Sequence, residues 1–163
     1  RGLGDVYKRQ YLQRYARDNA RTPMQWSDTA NAGFTSGTPW MKINENYREI
    51  HADAQLKDPD SVFRFYQKAL ALRKTYADIV RDGAFVPIDA QNREVLAFAR
   101  RLGSRQLLVV CSLSPKPARV KIPAELCTGG AQLLLSNMEA PPALTETMRL
   151  APCASVVWEL CMD

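Results

Sequence analysis

The spacing of apolar residues between positions 59 and 75 differs from the spacing in the rest of the chain. Apolar residues recur there at steps of three and four, with Arg, Lys and Gln between them, which is the pattern of an amphipathic helix. Asp58 suits an N-cap and Pro59 suits the first helical position. We therefore predict a helix from Pro59 to about Thr75. Its predicted apolar face comprises Val62, Phe65, Tyr66, Ala69 and Leu72.

After Gly83 the apolar positions alternate with polar ones over short stretches, which is typical of β-strands. The segments 95–101 and 106–112, joined by a turn at 102–104, predict a hairpin. Pro, Gly and Asn separate the further candidate strands. These are Phe85–Ile88, Ala118–Ile122, Gln132–Leu135, Met148–Leu150 and Ser155–Leu160. Short antiparallel strands at this spacing predict a sandwich or small barrel.

In residues 11–46 the apolar residues follow neither the helical nor the strand spacing, and the segment is rich in Arg, Asn, Gly, Thr and Pro. Such a composition predicts a long loop. Long loops without regular structure are uncommon in compact domains unless they are functional, so we expect this segment to belong to a binding face.

Composition narrows the function classes only slightly. The 163 residues are 46% apolar and 24% charged, and no apolar run approaches the ~20 residues of a membrane span. The net charge is 22 − 17 = +5, but no Lys/Arg block alternates with aromatic residues, so we expect neither nucleic-acid nor membrane binding.

The four cysteines are widely spaced, without a CxxC pair, and there is one histidine, so we expect no zinc site and no cofactor. Cys111 lies in an apolar run and is expected to be a buried, reduced thiol, which favours a cytoplasmic location.

The first ten residues, RGLGDVYKRQ, lack a start methionine and the apolar core of a signal peptide. The stretch from Asp5 to Gln10 is the translation of GAT GTG TAT AAG AGA CAG, which resembles the transposon mosaic end used to prepare sequencing libraries. We interpret residues 1–10 as translated adaptor, with natural sequence starting near Tyr11. A charged linker or a helix start is the alternative, and the codons of the gene distinguish the two.

The most informative stretch is RDNARTPMQW at residues 17–26, followed by NAGF at 31–34, PW at 39–40 and NENYREI at 44–50. Together with the DPDS helix start, these motifs resemble the oligo-1,6-glucosidase subgroup of glycoside hydrolase family 13. The resemblance covers residues 11–163, densely as far as Lys74.

The resemblance implies an α+β chain: the loop and last helix of a (β/α)8 barrel, followed by an antiparallel all-β sandwich. Residues 11–80 would be the end of the catalytic barrel and residues 81–163 the C-terminal β domain. The rest of the barrel, a missing N-terminal part of the same chain, would be its partner.

Family enzymes hydrolyse α-glucosidic bonds with retention, using an aspartate nucleophile, a glutamate acid/base and a second aspartate on earlier barrel segments. None of those motifs occurs here. The resemblance therefore implies an exo-acting α-glucosidase that cleaves α-1,6 or α-1,4 bonds of short gluco-oligosaccharides, of which this part alone has no catalytic residue, no metal site and no activity.

Two residues match substrate-binding positions of the family, Arg17 and Arg21. A guanidinium offers five donors in a rigid fork, which suits sugar hydroxyls and nearby carboxylates. A structural salt bridge is the alternative for each. Trp26 and Trp40 could stack on sugars, but we favour packing anchors. His51 is expected to be a surface or hydrogen-bonded residue.

Three alternative interpretations remain open. Trehalose-phosphate hydrolases, dextran glucosidases and sucrose isomerases carry similar versions of this loop. Non-catalytic relatives such as the heavy-chain subunits of amino-acid transporters keep the barrel and the β domain, although both arginines argue against that reading. The β domain could also be a carbohydrate-binding module, but its candidate strands show no exposed aromatic row.

Overall fold

The computed structural model describes residues 7–8, 10–11, 21–139 and 143–161. The chain divides into two compact units, residues 1–64 and 65–163, which are described separately below. Among the described residues, the α-helices with defined bounds are α1 (Ala52–Lys57), α2 (Val62–Thr75) and α3 (Ala77–Asp82), and residues 7–8 and 10–11 are also helical. Within the part of the chain that the structure describes, no helix is long and apolar enough to cross a bilayer.

In the first unit, α2 begins at Val62, three residues after the predicted start at Pro59. Ser61, not Asp58, is the N-cap: its Oγ accepts a hydrogen bond from the backbone N–H of Arg64 at 3.2 Å. Asp58 instead closes the preceding turn by accepting from Asp60 N at 2.9 Å. The prediction was wrong because Asp58 and Ser61 are both good caps, and the sequence does not show which turn forms.

The end of α2 at Thr75 confirms the predicted end. No residue of α2 is buried, and the exposed side chains include Val62, Tyr66 and Leu70. Phe65, Ala69 and Leu72 are half-buried. The predicted apolar face is therefore present, with its large side chains partly open.

The described part of the second unit contains seven strands, all paired antiparallel, together with residues 65–75 of α2 and the helix α3. The strands are β1 (Ala84–Ile88), β2 (Val95–Leu102), β3 (Arg105–Ser112), β4 (Ala118–Lys121), β5 (Ala131–Ser136), β6 (Thr147–Leu150) and β7 (Ser155–Cys161). A five-stranded sheet has the order β1-β2-β3-β7-β5, and β4 pairs with β6 in a second sheet. This confirms the predicted antiparallel β architecture, and each strand lies within a residue of its predicted bounds.

The core of the second unit lies between the two sheets. Alternate residues of β2, β3 and β7 face inward, so that Ala97, Val110 and Val156 meet across three neighbouring strands. From the smaller sheet, Val120 and Met148 close the core. Cys111 lies on a strand but on the opposite face and is half-buried, so the expectation of a fully buried thiol was wrong.

The short helix α3 packs on the other face of the larger sheet and was not predicted from the sequence. Ile79 is fully buried there. The Arg100 guanidinium donates to the carbonyl of Val80 at 2.6 Å. Six residues are fewer than two helical turns, too few to produce a periodic apolar signal.

A charged cluster surrounds Tyr76, the residue before α3. Its hydroxyl donates to the Glu159 carboxylate at 2.6 Å, and this hydrogen bond raises the pKa of the phenol. The Arg105 guanidinium lies 5.5 Å from the Tyr76 ring centroid and pairs with Asp78 at 2.7 Å.

Both outer strands of the five-stranded sheet are irregular. β1 carries Pro87, which lacks a backbone N–H. β5 has a shift in register between Leu133 and Leu135 where it pairs with β7. The hairpin of β2 and β3 turns at Gly103, whose φ of 58° suits a tight two-residue turn.

Candidate functional site

The segment that follows Arg21 is held in an extended form by the start of α1 and the turn before it. The first N–H groups of α1, those of Ala52 and Asp53, donate to the carbonyls of Gln25 and Trp26 at 2.9 and 3.0 Å. The Gln25 amide donates to Asn46 Oδ1 at 3.0 Å and to the Ile50 carbonyl at 2.5 Å. Helix N-termini need such acceptors, so the RTPMQW segment and α1 stabilise each other.

A left-handed turn follows, formed by three consecutive residues with positive φ. The φ values of Asn31, Ala32 and Gly33 are 54°, 57° and 65°. The carbonyl of Ala32 accepts from the N–H groups of Trp26 and Ser27 at 2.9 and 3.1 Å. Each left-handed non-glycine residue costs about 1–2 kcal/mol, so the surrounding hydrogen bonds must hold this turn in place.

Side chains of the turn provide that support. The Asn31 amide donates to the carbonyls of Thr35 and Gly37 at 3.1 and 2.9 Å. A Cβ at Gly33 would lie 2.5 Å from Ser27 Oγ, so another residue there would displace that hydroxyl in addition to adopting a positive φ. This turn was not predicted from the sequence, although Asn and Gly in NAGF are the residues that tolerate positive φ.

The left-handed turn leads into Phe34, which helps to form a cavity of about 250 Å³. Arg21, Pro39 and Trp40 also line it, so the cavity brings Arg21 of the RDNARTPMQW motif next to the PW motif. A second cavity of about 580 Å³ lies on residues 40–45 and Thr22. The other arginine singled out by the sequence, Arg17, lies outside the described residues.

Both tryptophans of this unit are exposed. Trp40 exposes 85% of its surface and Trp26 exposes 53%. The packing role that we favoured for them is therefore not fulfilled within the described residues.

A third cavity, of about 470 Å³, has a mostly apolar lining that includes Met24, Ile50 and Phe63. His51 also lines it, and its Nδ1 lies 2.9 Å from the carbonyl of Tyr47. Since a carbonyl only accepts, this contact places the proton on Nδ1. The expectation of a hydrogen-bonded histidine is confirmed.

One carboxylate of the described loop, that of Glu45, is poorly suited to act as a general acid. Glu45 pairs with Lys42 at 2.9 Å, and this hydrogen bond lowers the pKa of Glu45 and raises that of Lys42. A depressed pKa favours the ionised form, whereas a general acid must hold a proton near neutral pH. Among the described residues, no three His, Cys, Asp or Glu side chains come together as a metal site.

Two family models match the chain. The alpha amylase catalytic domain matches residues 5–83 and the maltogenic amylase C-terminal domain matches residues 85–155. The oligo-1,6-glucosidase of Parageobacillus thermoglucosidasius is 41% identical over 145 residues, which cover 88% of this chain and 26% of that protein. The trehalose-6-phosphate hydrolase of Bacillus subtilis is 40% identical over 162 residues, which cover 98% of this chain and 28% of that protein.

Solved structures give the same result. The crystal structure of trehalose-6-phosphate hydrolase from Bacillus licheniformis matches with a TM-score of 0.86 at 35% identity, covering 94% of this chain and 28% of that chain. An isomaltulose synthase mutant from Erwinia rhapontici in complex with sucrose matches with a TM-score of 0.84 at 34% identity, covering 98% and 29%. The chain thus spans little more than a quarter of the proteins that it matches. By both domain models and by these relatives, the chain belongs to the α-amylase family, glycoside hydrolase family 13.

Proposed function

We propose that the chain is the C-terminal part of a retaining, exo-acting α-glucosidase that hydrolyses α-1,6 or α-1,4 bonds of short gluco-oligosaccharides. The observation that carries this proposal is the position of Arg21, in the RDNARTPMQW motif and on the wall of a cavity that Phe34 and Trp40 also line. Relatives that are oligo-1,6-glucosidases and trehalose-6-phosphate hydrolases support α-glucosyl chemistry.

Arg21, together with Arg17, holds the non-reducing-end glucose in this proposal. A guanidinium presents several N–H donors in fixed directions. Sugar hydroxyl oxygens accept such hydrogen bonds. The left-handed turn at Asn31–Gly33 contributes by fixing Phe34 on the same cavity.

The reaction also needs two carboxyl groups on opposite sides of the glycosidic bond. In a retaining enzyme they lie about 5–5.5 Å apart, one as nucleophile and one as acid and then base. The proposal places them in the preceding part of a cytoplasmic enzyme, with residues 11–80 completing the barrel and residues 81–163 forming the β domain. The 163-residue chain alone is then expected to have no hydrolytic activity.

The first test is to sequence the genomic DNA upstream of the codon for Tyr11 and to express the complete reading frame. We expect a barrel with three catalytic carboxylates, and release of glucose from isomaltose or maltose. A frame without those carboxylates would contradict the proposal and favour a non-catalytic relative. Faster turnover of trehalose 6-phosphate, or conversion of sucrose to an isomer, would replace the proposed substrate by that of another subgroup.

The second test is the variant Arg21→Ala in the complete enzyme. Hydrogen bonds to a charged group contribute about 1.5–3 kcal/mol, so kcat/KM should fall roughly 10- to 100-fold. Arg119→Ala is the matched control, because Arg119 is an exposed arginine on β4. If both variants keep normal kcat/KM, Arg21 has no role in substrate binding.

A further inference from the structure

Two arginines lie directly opposite each other on the smaller sheet of the second unit. Arg119 of β4 is the register partner of Arg149 of β6, so the two side chains leave the same face of this two-stranded ribbon. Residues in such a position have Cβ atoms about 4.5–5.5 Å apart. Val120 and Met148, the partners at the next position, are buried on the other face and hold the ribbon on the core. The fold therefore fixes the starting points of both arginine side chains.

Neither guanidinium is neutralised within the part of the chain that the structure describes. Arg119 and Arg149 are both exposed, and no hydrogen bond or ion pair joins either guanidinium to a described residue. Like charges directly opposite each other on two strands destabilise the pairing. The ribbon thus carries a charge repulsion that a bound anion would relieve.

The carboxylates beside the ribbon interact with other groups. Hydrogen bonds from the Asn92 amide and from Lys121 N, and then the charge of Lys121, lower the pKa of the Asp89 carboxyl. Glu146 precedes β6, and its charge, after burial, raises the pKa of the Cys127 thiol. Asp89 offsets the charge of Lys121, so the unbalanced charge of the ribbon is that of the two arginines.

The anion that best fits two adjacent guanidinium groups is a phosphate group. Guanidinium and phosphate form paired N–H···O hydrogen bonds, and a phosphate monoester carries about −1.5 to −2 charges at pH 7, which balances both arginines. A carboxylate carries one charge and balances only one of them. A nucleic acid needs aromatic side chains among the basic ones. The outward positions of the ribbon have none, since they are Arg119, Lys121, Thr147 and Arg149.

We propose that Arg119 and Arg149 form a binding site for a doubly charged phosphate group, supplied either as free inorganic phosphate or as a sugar phosphate. Each guanidinium donates two hydrogen bonds to the phosphate oxygens. The site belongs to the β unit, does not depend on the proposed α-glucosidase function and takes no part in hydrolysis. Its occupation stabilises the β unit, because a ligand that binds only the folded state shifts the folding equilibrium.

The first experiment is a titration of the 163-residue chain with inorganic phosphate at pH 7, at constant ionic strength adjusted with sodium chloride. Two-dimensional ¹H–¹⁵N NMR should show saturable shifts of the Nε–H signals of Arg119 and Arg149. Arg149→Gln should weaken binding roughly 10- to 100-fold, and Arg149→Lys, which keeps the charge but not the fork, should lie between the two. Arg73→Gln is the matched control, because it removes an exposed arginine from α2, and it should bind like the parent. Shifts that do not saturate, or an equal loss of binding in Arg73→Gln, would overturn the site.

The midpoint of urea unfolding gives a second readout. In chloride, Arg149→Gln should unfold at a higher urea concentration than the parent, because it removes the like-charge repulsion. Phosphate should raise the midpoint of the parent and narrow this difference. An equal rise in both proteins would count against the site, since phosphate also stabilises proteins by exclusion from their surface. If Arg149→Gln does not fold, Arg119→Gln is subject to the same expectations.

A third titration distinguishes the sources of the phosphate group. Tighter binding of glucose 6-phosphate than of inorganic phosphate identifies a sugar phosphate as the ligand, and the reverse order identifies the free ion. Both results support the site. Binding of a single-stranded oligonucleotide without binding of either phosphate would refute it in favour of a nucleic acid, and binding of none of the three would refute it outright.

Discussion

Trp158 and Trp40 are the same residue type in opposite environments. Trp158, on β7 of the second unit, exposes 3% of its surface, and Trp40, in the loop of the first unit, exposes 85%. The second unit stabilises itself by burying alternate strand residues between two sheets. In the first unit the only buried residues, among those described, are Ala32 and Ser61.

The first unit is therefore ordered by different interactions. Its fixed points are hydrogen bonds from Gln25 and Asn31 side chains, a left-handed turn and the N-terminus of α1. Such bonds contribute about 0.5–1.5 kcal/mol each, less than the ~1.5–3 kcal/mol of a large buried apolar side chain. The comparison teaches that hydrogen bonds can hold a loop in a defined conformation with little apolar core of its own.

The largest expected effect is on the free energy of unfolding, and it differs between the two tryptophans. In the 163-residue chain, Trp158→Ala should lower the free energy of unfolding by about 3–5 kcal/mol, because it leaves a cavity between the sheets. Trp40→Ala should change it by no more than ~0.5 kcal/mol. Urea unfolding followed by circular dichroism measures both. Equal losses in the two variants would mean that Trp40 belongs to a core.

The next largest expected effect is on the stability of the left-handed turn in the first unit. Gly33→Ala should destabilise the left-handed turn by about 1–2 kcal/mol, since φ is positive and the new Cβ meets Ser27 Oγ. The amides of Trp26 and Ser27, which donate to Ala32, should then exchange hydrogen roughly tenfold faster. Gly37→Ala is the control, because its φ is not positive and its nearest neighbour, Thr35 Oγ1, lies 3.7 Å away. Unchanged exchange in Gly33→Ala would show that the turn is not held as described.

The smallest expected effect concerns a polar contact of the second unit, which stabilises that unit in addition to its apolar core. Asp89 accepts hydrogen bonds from the Asn92 amide at 2.8 Å and from Lys121 N at 3.1 Å, and these bonds lower the pKa of its carboxyl. Asp89 has a φ of 48°, which asparagine also tolerates. Asp89→Asn should therefore cost about 0.5–1.5 kcal/mol at pH 7 without straining the backbone.

The stability that Asp89→Asn loses should depend on pH. Because the folded-state pKa lies below the ordinary value of about 3.9, the carboxylate stabilises the fold above that pH and the contribution is lost as pH falls through the folded-state pKa. The stability difference between the parent and Asp89→Asn should thus shrink as pH falls from 7 towards 3. A difference that is constant over this range would exclude the charge of Asp89 as its cause.

The sequence predicted the second unit well because its signals are local and repeated. Strands β4, β6 and β7 alternate in burial, as does the first part of β2, and Pro, Gly and Asn mark the ends of the strands. The helices α1 and α3 were missed, since six residues give no period. Burial of Ile79 stabilises α3, and hydrogen bonds to the carbonyls of Gln25 and Trp26 hold the start of α1. The start of α2 depended on a choice between two capping residues.

The candidate site was predictable only in part. The RDNARTPMQW motif identified Arg21 by resemblance, but no pattern in the sequence indicates that Arg21, Phe34 and Trp40 line one cavity. That proximity depends on the φ values of Asn31, Ala32 and Gly33, which are set by hydrogen bonds to residues up to six positions away. Hydrogen bonds of this kind leave no pattern in the sequence other than the Asn and Gly residues of the turn.

The irregular outer strands of the larger sheet affect the self-association of the protein. An unpaired strand edge is a template on which a second molecule can add a strand, and repetition of that step produces aggregates. Pro87 interrupts the row of N–H donors on β1, and the register shift at Leu133/Leu135 distorts β5. Both irregularities therefore hinder the addition of a strand from a second molecule to the larger sheet.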